Sequence, residues 1–235
     1  MNESARADLT PVFFTYARAF LAGLGNDWGG QRAGRPLSDQ AVAGTLASAG
    51  VPRDLIDRAS WDAVGDVNLP DHCRPEVDAV KCWLDHRRPR PDLNLAGDVG
   101  VGKTMLCVLL ARALVAQRER VTWVSSADLF RDIFERDLIE RYRVADHLFL
   151  DDVGAEPQPI TAAQGVFFGL VNHRWSHNLP IIWTCSKRMA VITALSNRYG
   201  PATASRLLDT RRTRSLSWTT NIDRRTNTVP KEFSS

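Results

Sequence analysis

The residues best suited to chemistry are the octet Gly97-Asp98-Val99-Gly100-Val101-Gly102-Lys103-Thr104. It fits the phosphate-binding pattern G-x-x-x-x-G-K-[ST] and lies between an apolar run, Leu93 to Ala96, and an apolar-periodic segment starting at Met105, which is strand, loop, helix in the required order. Glycines let the backbone fold tightly enough for successive N–H groups to point at phosphate oxygens, at the positive end of the following helix. Lys103 would add a cation at the β- and γ-phosphates of ATP, and the Thr104 hydroxyl would ligate Mg²⁺. Some fifty residues on, His147-Leu148-Phe149-Leu150-Asp151-Asp152 is an apolar strand ending in two carboxylates. Asp151 would hold Mg²⁺ directly or through water, and Asp152 stands where a base could polarise an attacking water. The alternative for the pair is a turn before Gly154.

Two further sites carry polar groups that the apolar pattern around them does not require. The strand Ile181 to Thr184 runs into Cys185-Ser186-Lys187. Ser186 or Thr184 could hydrogen-bond the attacking water or the γ-phosphate, or could cap the next helix. Arg206, in Ala204-Ser205-Arg206-Leu207-Leu208, sits on an apolar-periodic segment. A guanidinium there could stabilise charge on a transferring phosphoryl group, often from a neighbouring subunit, or could be a surface arginine.

The elements that must position these groups alternate strand and helix. Leu93 to Ala96, Val121 to Ser125, His147 to Leu150, Ile181 to Thr184 and Ser215 to Thr220 read as strands. Lys103 to Gln117 reads as a helix, and Ser125 with Asp128 is a capping signature for another reaching Arg141. Thr161 with Gln164 is a second capping box, before a helix through Phe167, Leu170, Val171 and Trp175. Strands joined by helices require crossovers, hence a mostly parallel, five-stranded sheet covered on both faces. Upstream, 8–24 has the spacing of an amphipathic helix, and Ser38 would cap a second helix running through Val42 and Leu46 to Gly50. These two helices form a small N-terminal module, 1–48, ahead of a main domain, 49–235. They either pad the main domain or dock on a partner protein. A further helix is expected around Val77, Val80, Trp83 and Leu84, ended by Arg87-Arg88-Pro89-Arg90-Pro91, which reads as a solvated loop or, alternatively, as a nucleic-acid contact.

Composition sets the class. With 44% hydrophobic and 24% charged residues in 235, the chain is an ordinary globular protein. No apolar run approaches a membrane span and the N-terminus lacks a signal-peptide core, so a cytoplasmic location is expected. Cys73, Cys82, Cys107 and Cys185 form no C-x-x-C pair, and Cys107 and Cys185 fall in apolar runs as core residues. Basic charge concentrates at 198–235, where seven Arg and one Lys face Asp209, Asp223 and Glu232. That asymmetry suits a nucleic-acid surface, with Arg211, Arg212 and Arg214 as candidate contacts to single-stranded DNA, or else a solvated face or subunit contact.

Together, Gly97 to Thr104, the run Leu148 to Glu156, the strand Ile181 to Ser186 and Ser205-Arg206-Leu207 resemble the bacterial helicase-loader branch of the AAA+ ATPases, which includes DnaC, DnaI and the IstB transposition helpers. The resemblance covers roughly Gly50 to Arg225. It implies an AAA+ P-loop core with Lys103 and Thr104 on phosphate and Mg²⁺, and Asp151 as the Walker B aspartate. It makes Asp152 the catalytic acid where many relatives have Glu, Ser186 sensor 1 where Asn is common, and Arg206 the arginine finger. Arg224 or Arg225 would be a second sensor. The function implied is ATP-dependent loading of a hexameric replicative DNA helicase onto single-stranded DNA, by a homo-oligomer whose ATP sites lie between subunits. The rivals are an IstB-like helper of a DNA transposase and a non-catalytic adaptor switched by ATP.

Overall fold

A computed structural model describes residues 37–58, 83–84, 90–100 and 102–218. The expected helix at 8–24, most of the expected helix around Trp83, and Arg224 and Arg225 lie outside these. Five strands, β1 (Asp92–Gly97), β2 (Val121–Ser125), β3 (His147–Val153), β4 (Ile181–Cys185) and β5 (Thr213–Trp218), form one sheet in the order β2-β3-β4-β1-β5. Every pairing is parallel. Parallel neighbours need crossovers, and helices supply them on both faces. In chain order these are α1 (Asp39–Ser48) and α2 (Arg53–Arg58) before the sheet, then α3 (Lys103–Ala116), α4 (Ser126–Arg131), α5 (Arg136–Val144), α6 (Thr161–Ser176), α7 (Ile192–Tyr199) and α8 (Pro201–Leu207).

The period of two along the strands divides the apolar residues between two cores. Leu93, Leu95, Phe149 and Ile182 face one layer with α1, α2 and α3. Leu148, Leu150, Ile181 and Trp183 face the other, with α6, α7 and α8. From Met105 to Val115 every residue of α3 is buried. A helix apolar all round needs cover on both sides. The sheet covers one side of α3, and α1 covers another through Val42 and Leu46, with Arg112 donating to Asp39 at 2.8 Å. Ser38 caps α1 as its sequence suggests, accepting from the Ala41 amide, and Gly50 ends the turn with φ +99°. The helix that closes the expected 1–48 module is packed against α3 of the main body.

Several local expectations change. The helix expected to reach Arg141 breaks into α4 and α5, and the break lets Ile133 drop into the core. Thr161 does not cap α6, because Ile160 holds the cap position and Gln164 instead donates to the Arg198 carbonyl at 2.8 Å. Arg90 is not part of a solvated loop. It is buried, donates to Glu119 Oε2 at 2.7 Å and to the Leu84 carbonyl at 3.1 Å, and lies beside His147 Nε2. Trp83 Nε1 donates to the Pro91 carbonyl at 2.8 Å, so this corner ties the segment before β1 to the starts of β2 and β3. Arg174, fully buried, donates to the carbonyls of Tyr142, Ala145 and Pro180, closing the end of α5 against the start of β4.

Asp92 opens β1 with a buried carboxylate whose Oδ1 accepts from the Ile181 amide at 2.8 Å. Burial pushes its pKa from the usual 3.8 up to about 6, against the pull of that amide and of Arg212. A folded-state pKa above the unfolded one gives a stabilising contribution that is present below the unfolded value and lost as pH rises through about 6. Between about pH 4 and about pH 7 the wild type should thus lose up to about 3 kcal/mol relative to Asp92→Asn. Paired urea melts across that range measure the difference, and a flat line would show that Asp92 titrates as an ordinary carboxylate.

Candidate functional site

The phosphate loop leaves the carboxyl end of β1 at Gly97. Gly100 and Gly102 have φ of +79° and +99°, values that glycine adopts without a Cβ clash, and Gly102 is the residue from which α3 starts. Lys103 turns back over the loop, its Nζ donating to the carbonyls of Gly97 (3.0 Å) and Asp98 (2.9 Å). Val99 is exposed at the loop's crest, and Val101 lies outside the described residues.

The acidic pair meets this loop from β3. Thr104 Oγ1 donates to Asp151 Oδ1 at 3.1 Å, and Thr184 Oγ1, from β4, donates to the same oxygen at 2.6 Å. The Thr184 hydroxyl also accepts from the Asp152 amide at 2.8 Å, while Ser126 Oγ donates to the Asp152 carbonyl at 2.6 Å. Asp152 is thereby held at both ends of its backbone, at φ +55°, a left-handed conformation that Asp tolerates better than most residues. The β3–β4 register shifts between Leu150 and Val153, and the Asp152 side chain comes out exposed. Burial holds the Asp151 carboxyl above its usual range, and Asp152 adds to this; hydrogen bonds from Thr184 and Thr104 oppose it. A buried carboxylate whose side-chain donors are neutral hydroxyls, beside a threonine oxygen, fits a hard divalent cation. Thr104 and Asp151 are the residues that would hold Mg²⁺.

The other expected residues are placed differently. Ser186 lies just past β4, is exposed, and its Oγ accepts from the Met189 amide at 3.4 Å, so of the two candidates it is Thr184 that touches the acidic pair. Arg206, on α8, stacks over the Trp175 ring at 4.4 Å and donates to Asn172 Oδ1 at 3.3 Å. Of the three basic candidates near β5, Arg212 is half-buried: it donates to the Trp175 carbonyl and lies 3.9 Å from Asp92, which makes it a packing residue. Arg211 is exposed and paired with Asp209 at 2.8 Å, and Arg214 is exposed.

One residue that motif reasoning left without a role is Glu156. Its side chain is fully buried, and Oε1 accepts from Arg198 Nε and Tyr199 Oη, each at 2.6 Å, while Oε2 accepts from the Gly154 amide at 3.1 Å. Burial opposes ionisation, but the side-chain hydrogen bonds, those from Tyr199 and Arg198 among them, draw its pKa below the usual value. Gly154, at φ +97°, closes the same loop against Met189, where a Cβ would come within 2.6 Å of the methionine side chain. The loop after Asp152 is thus fastened to α7, which turns through Gly200 into the helix that bears Arg206.

No protein-family model matches the chain, and no curated protein matches it. Solved structures do. The DnaC helicase loader is 18% identical, with a TM-score of 0.56, covering 67% of this chain and 95% of that one. DnaI is 22% identical, with a TM-score of 0.57 over 72% of this chain and 95% of its own. The AMPPCP-bound DnaA of Aquifex aeolicus is 21% identical, with a TM-score of 0.52 over 68% of this chain and 51% of its own. At these identities the likeness is one of fold, and the fold is that of AAA+ P-loop domains.

Thr184→Val removes the acceptor for the Asp152 amide and one donor to Asp151 while keeping the volume. An unsatisfied buried N–H costs about 1–3 kcal/mol, so the unfolding midpoint should fall by that equivalent. Nucleotide binding should weaken in Mg²⁺ and change little in EDTA. Ser186→Ala should leave both measurements where they are, and equal effects from the two variants would reverse their assignment.

Proposed function

We propose that the chain is an ATP-dependent loader of a replicative DNA helicase, an ATPase whose sites are completed by a neighbouring copy. The observation that supports this best is the meeting of Lys103, Thr104, Asp151 and Thr184 at one sheet edge, in a fold that spans 95% of the DnaC helicase loader and 95% of DnaI. The likeness to DnaA agrees with a role at replication.

In this reading ATP lies on the phosphate loop, and Lys103 exchanges the carbonyls of Gly97 and Asp98 for phosphate oxygens. Thr104 and Asp151 would hold Mg²⁺, which would supply charge neutralisation to the phosphates. The exposed Asp152 carboxylate accepts a proton from the attacking water. Its backbone, pinned by Thr184 and Ser126, keeps that carboxylate aimed beyond the strand end. Arg206 is presented to the next subunit by its stacking on Trp175, which restricts a long side chain before the neighbour arrives. Of the three basic candidates near β5, Arg211 and Arg214 are exposed to a DNA strand, and Arg212 is withdrawn from that role by its packing. Residues 1–36 are left as the segment that grips the helicase, since α1 is committed to the core.

Complementation tests the shared site. Lys103→Ala should abolish tight ATP binding, and Arg206→Ala should keep binding while slowing hydrolysis about a thousandfold. Mixing the two inactive variants should restore phosphate release, because Lys103→Ala subunits still bring Arg206 to intact neighbouring sites. No recovery on mixing would rule out a finger acting in trans.

Partner choice has its own test. With ATP present, the chain should retain the hexameric replicative helicase of the same cell, and deletion of residues 1–36 should release it. Retention of a transposase instead would assign the chain to transposition.

A further inference from the structure

The pairing of β1 with β4 sets Ala96 beside Cys185, so the residues that leave the two strands run out side by side. Two residues beyond that pair, Asp98 Oδ2 meets Lys187 Nζ at 3.4 Å. Asp98 occupies the first variable position of the phosphate loop. A carboxylate there opposes a surface otherwise built to attract anions, since the loop offers N–H groups and the positive end of α3. Lys187 offsets that charge. Both side chains are partly exposed, at 29% for Lys187 and 43% for Asp98, so parting them costs little desolvation. The neighbouring Ser186 is turned to the Met189 amide, and Lys187, in the turn after β4, is the one of the two that meets the loop.

We propose that Asp98 and Lys187 form a charge pair that reads the terminal phosphate: a triphosphate competes with Asp98 for Lys187, and a diphosphate leaves the pair closed. This rests on the nucleotide-binding reading of the site and adds to it the basis of discrimination between ATP and ADP. Lys103 serves both nucleotides, because it spans the β- and γ-phosphates. Lys187 serves one of them. Asp98 sets the threshold, since its hold on the ammonium must be overcome before the γ-phosphate gains a second cation.

The experiment is calorimetric titration of the full chain with AMPPCP and with ADP, each in Mg²⁺. Asp98→Asn should tighten AMPPCP about threefold, the worth of a partly exposed ion pair, and leave ADP unchanged. Lys187→Met should weaken AMPPCP about tenfold, the loss of one charge-assisted hydrogen bond, and weaken ADP by less. With Lys187 gone, Asp98→Asn should no longer raise the AMPPCP-to-ADP affinity ratio. Weaker AMPPCP binding by Asp98→Asn, or equal changes for the two nucleotides in both single variants, would overturn the proposal and leave a merely structural pair. If the wild type binds neither nucleotide and Lys103→Ala changes nothing, the nucleotide-binding reading itself falls, and this proposal with it.

Discussion

The structure depends on keeping one negative charge, Asp151, at the buried carboxyl edge of a parallel sheet. Water is largely excluded there, and burial raises the pKa of the group. Two threonine hydroxyls from different elements donate to the same carboxylate oxygen and oppose that push. Each hydroxyl arrives by a different route: Thr104 from the start of α3 and Thr184 from a strand adjacent to β3. The strand order is what brings them together, since β4 lies between β3 and β1. A change in that order would separate the carboxylate from the phosphate loop even with every motif residue intact.

Holding that edge still requires rigid support behind it. Buried from Met105 to Val115, α3 is stiffened by contact on both sides, so the loop at its amino end is fixed by packing along most of the helix. On the opposite face, Phe167 and Tyr199 pack ring against ring at 5.0 Å and set α6 and α7 relative to β3. Below the sheet, the Arg90 cluster fastens the segment before β1. Buried charged groups of this kind add little net stability compared with apolar replacements, but removing one partner leaves an uncompensated charge. Their effect is to fix where the chain runs.

Much of this was legible in the sequence where pattern and spacing are local. The phosphate loop, the β3 carboxylates, the parallel five-stranded sheet and the Ser38 and Ser125 caps follow from periodicity and from short-range hydrogen bonding. What was not legible depends on which elements become neighbours. Thr184 and Ser186 are two residues apart with similar chemistry, and the end of β4 at Cys185 decides between them: Thr184 stays in the strand beside Asp151, while Ser186 falls in the turn that follows and accepts from Met189. Arg90 and Arg212 look like solvent-facing charges because sequence shows the charge and not the carboxylate or carbonyl waiting for it. Glu156 stands in a short polar stretch, and its partners Arg198 and Tyr199 lie more than forty residues away. A capping box at Thr161 failed for the same reason, since Gln164 found a better acceptor on another helix.

The Glu156 junction also has a mechanical meaning. Because both carboxylate oxygens are engaged and the group is sealed from solvent, there is no slack between the end of β3 and α7. The end of β3 and α7 are therefore positioned as one unit through a single buried carboxylate. The compliance has to appear further out, and Gly200, with φ +89° between α7 and α8, is a backbone joint of the kind that can supply it. The molecule thus has a stiff connection from its acidic edge to Tyr199, a glycine turn, and then a helix whose Ala204 and Leu207 return to the same core.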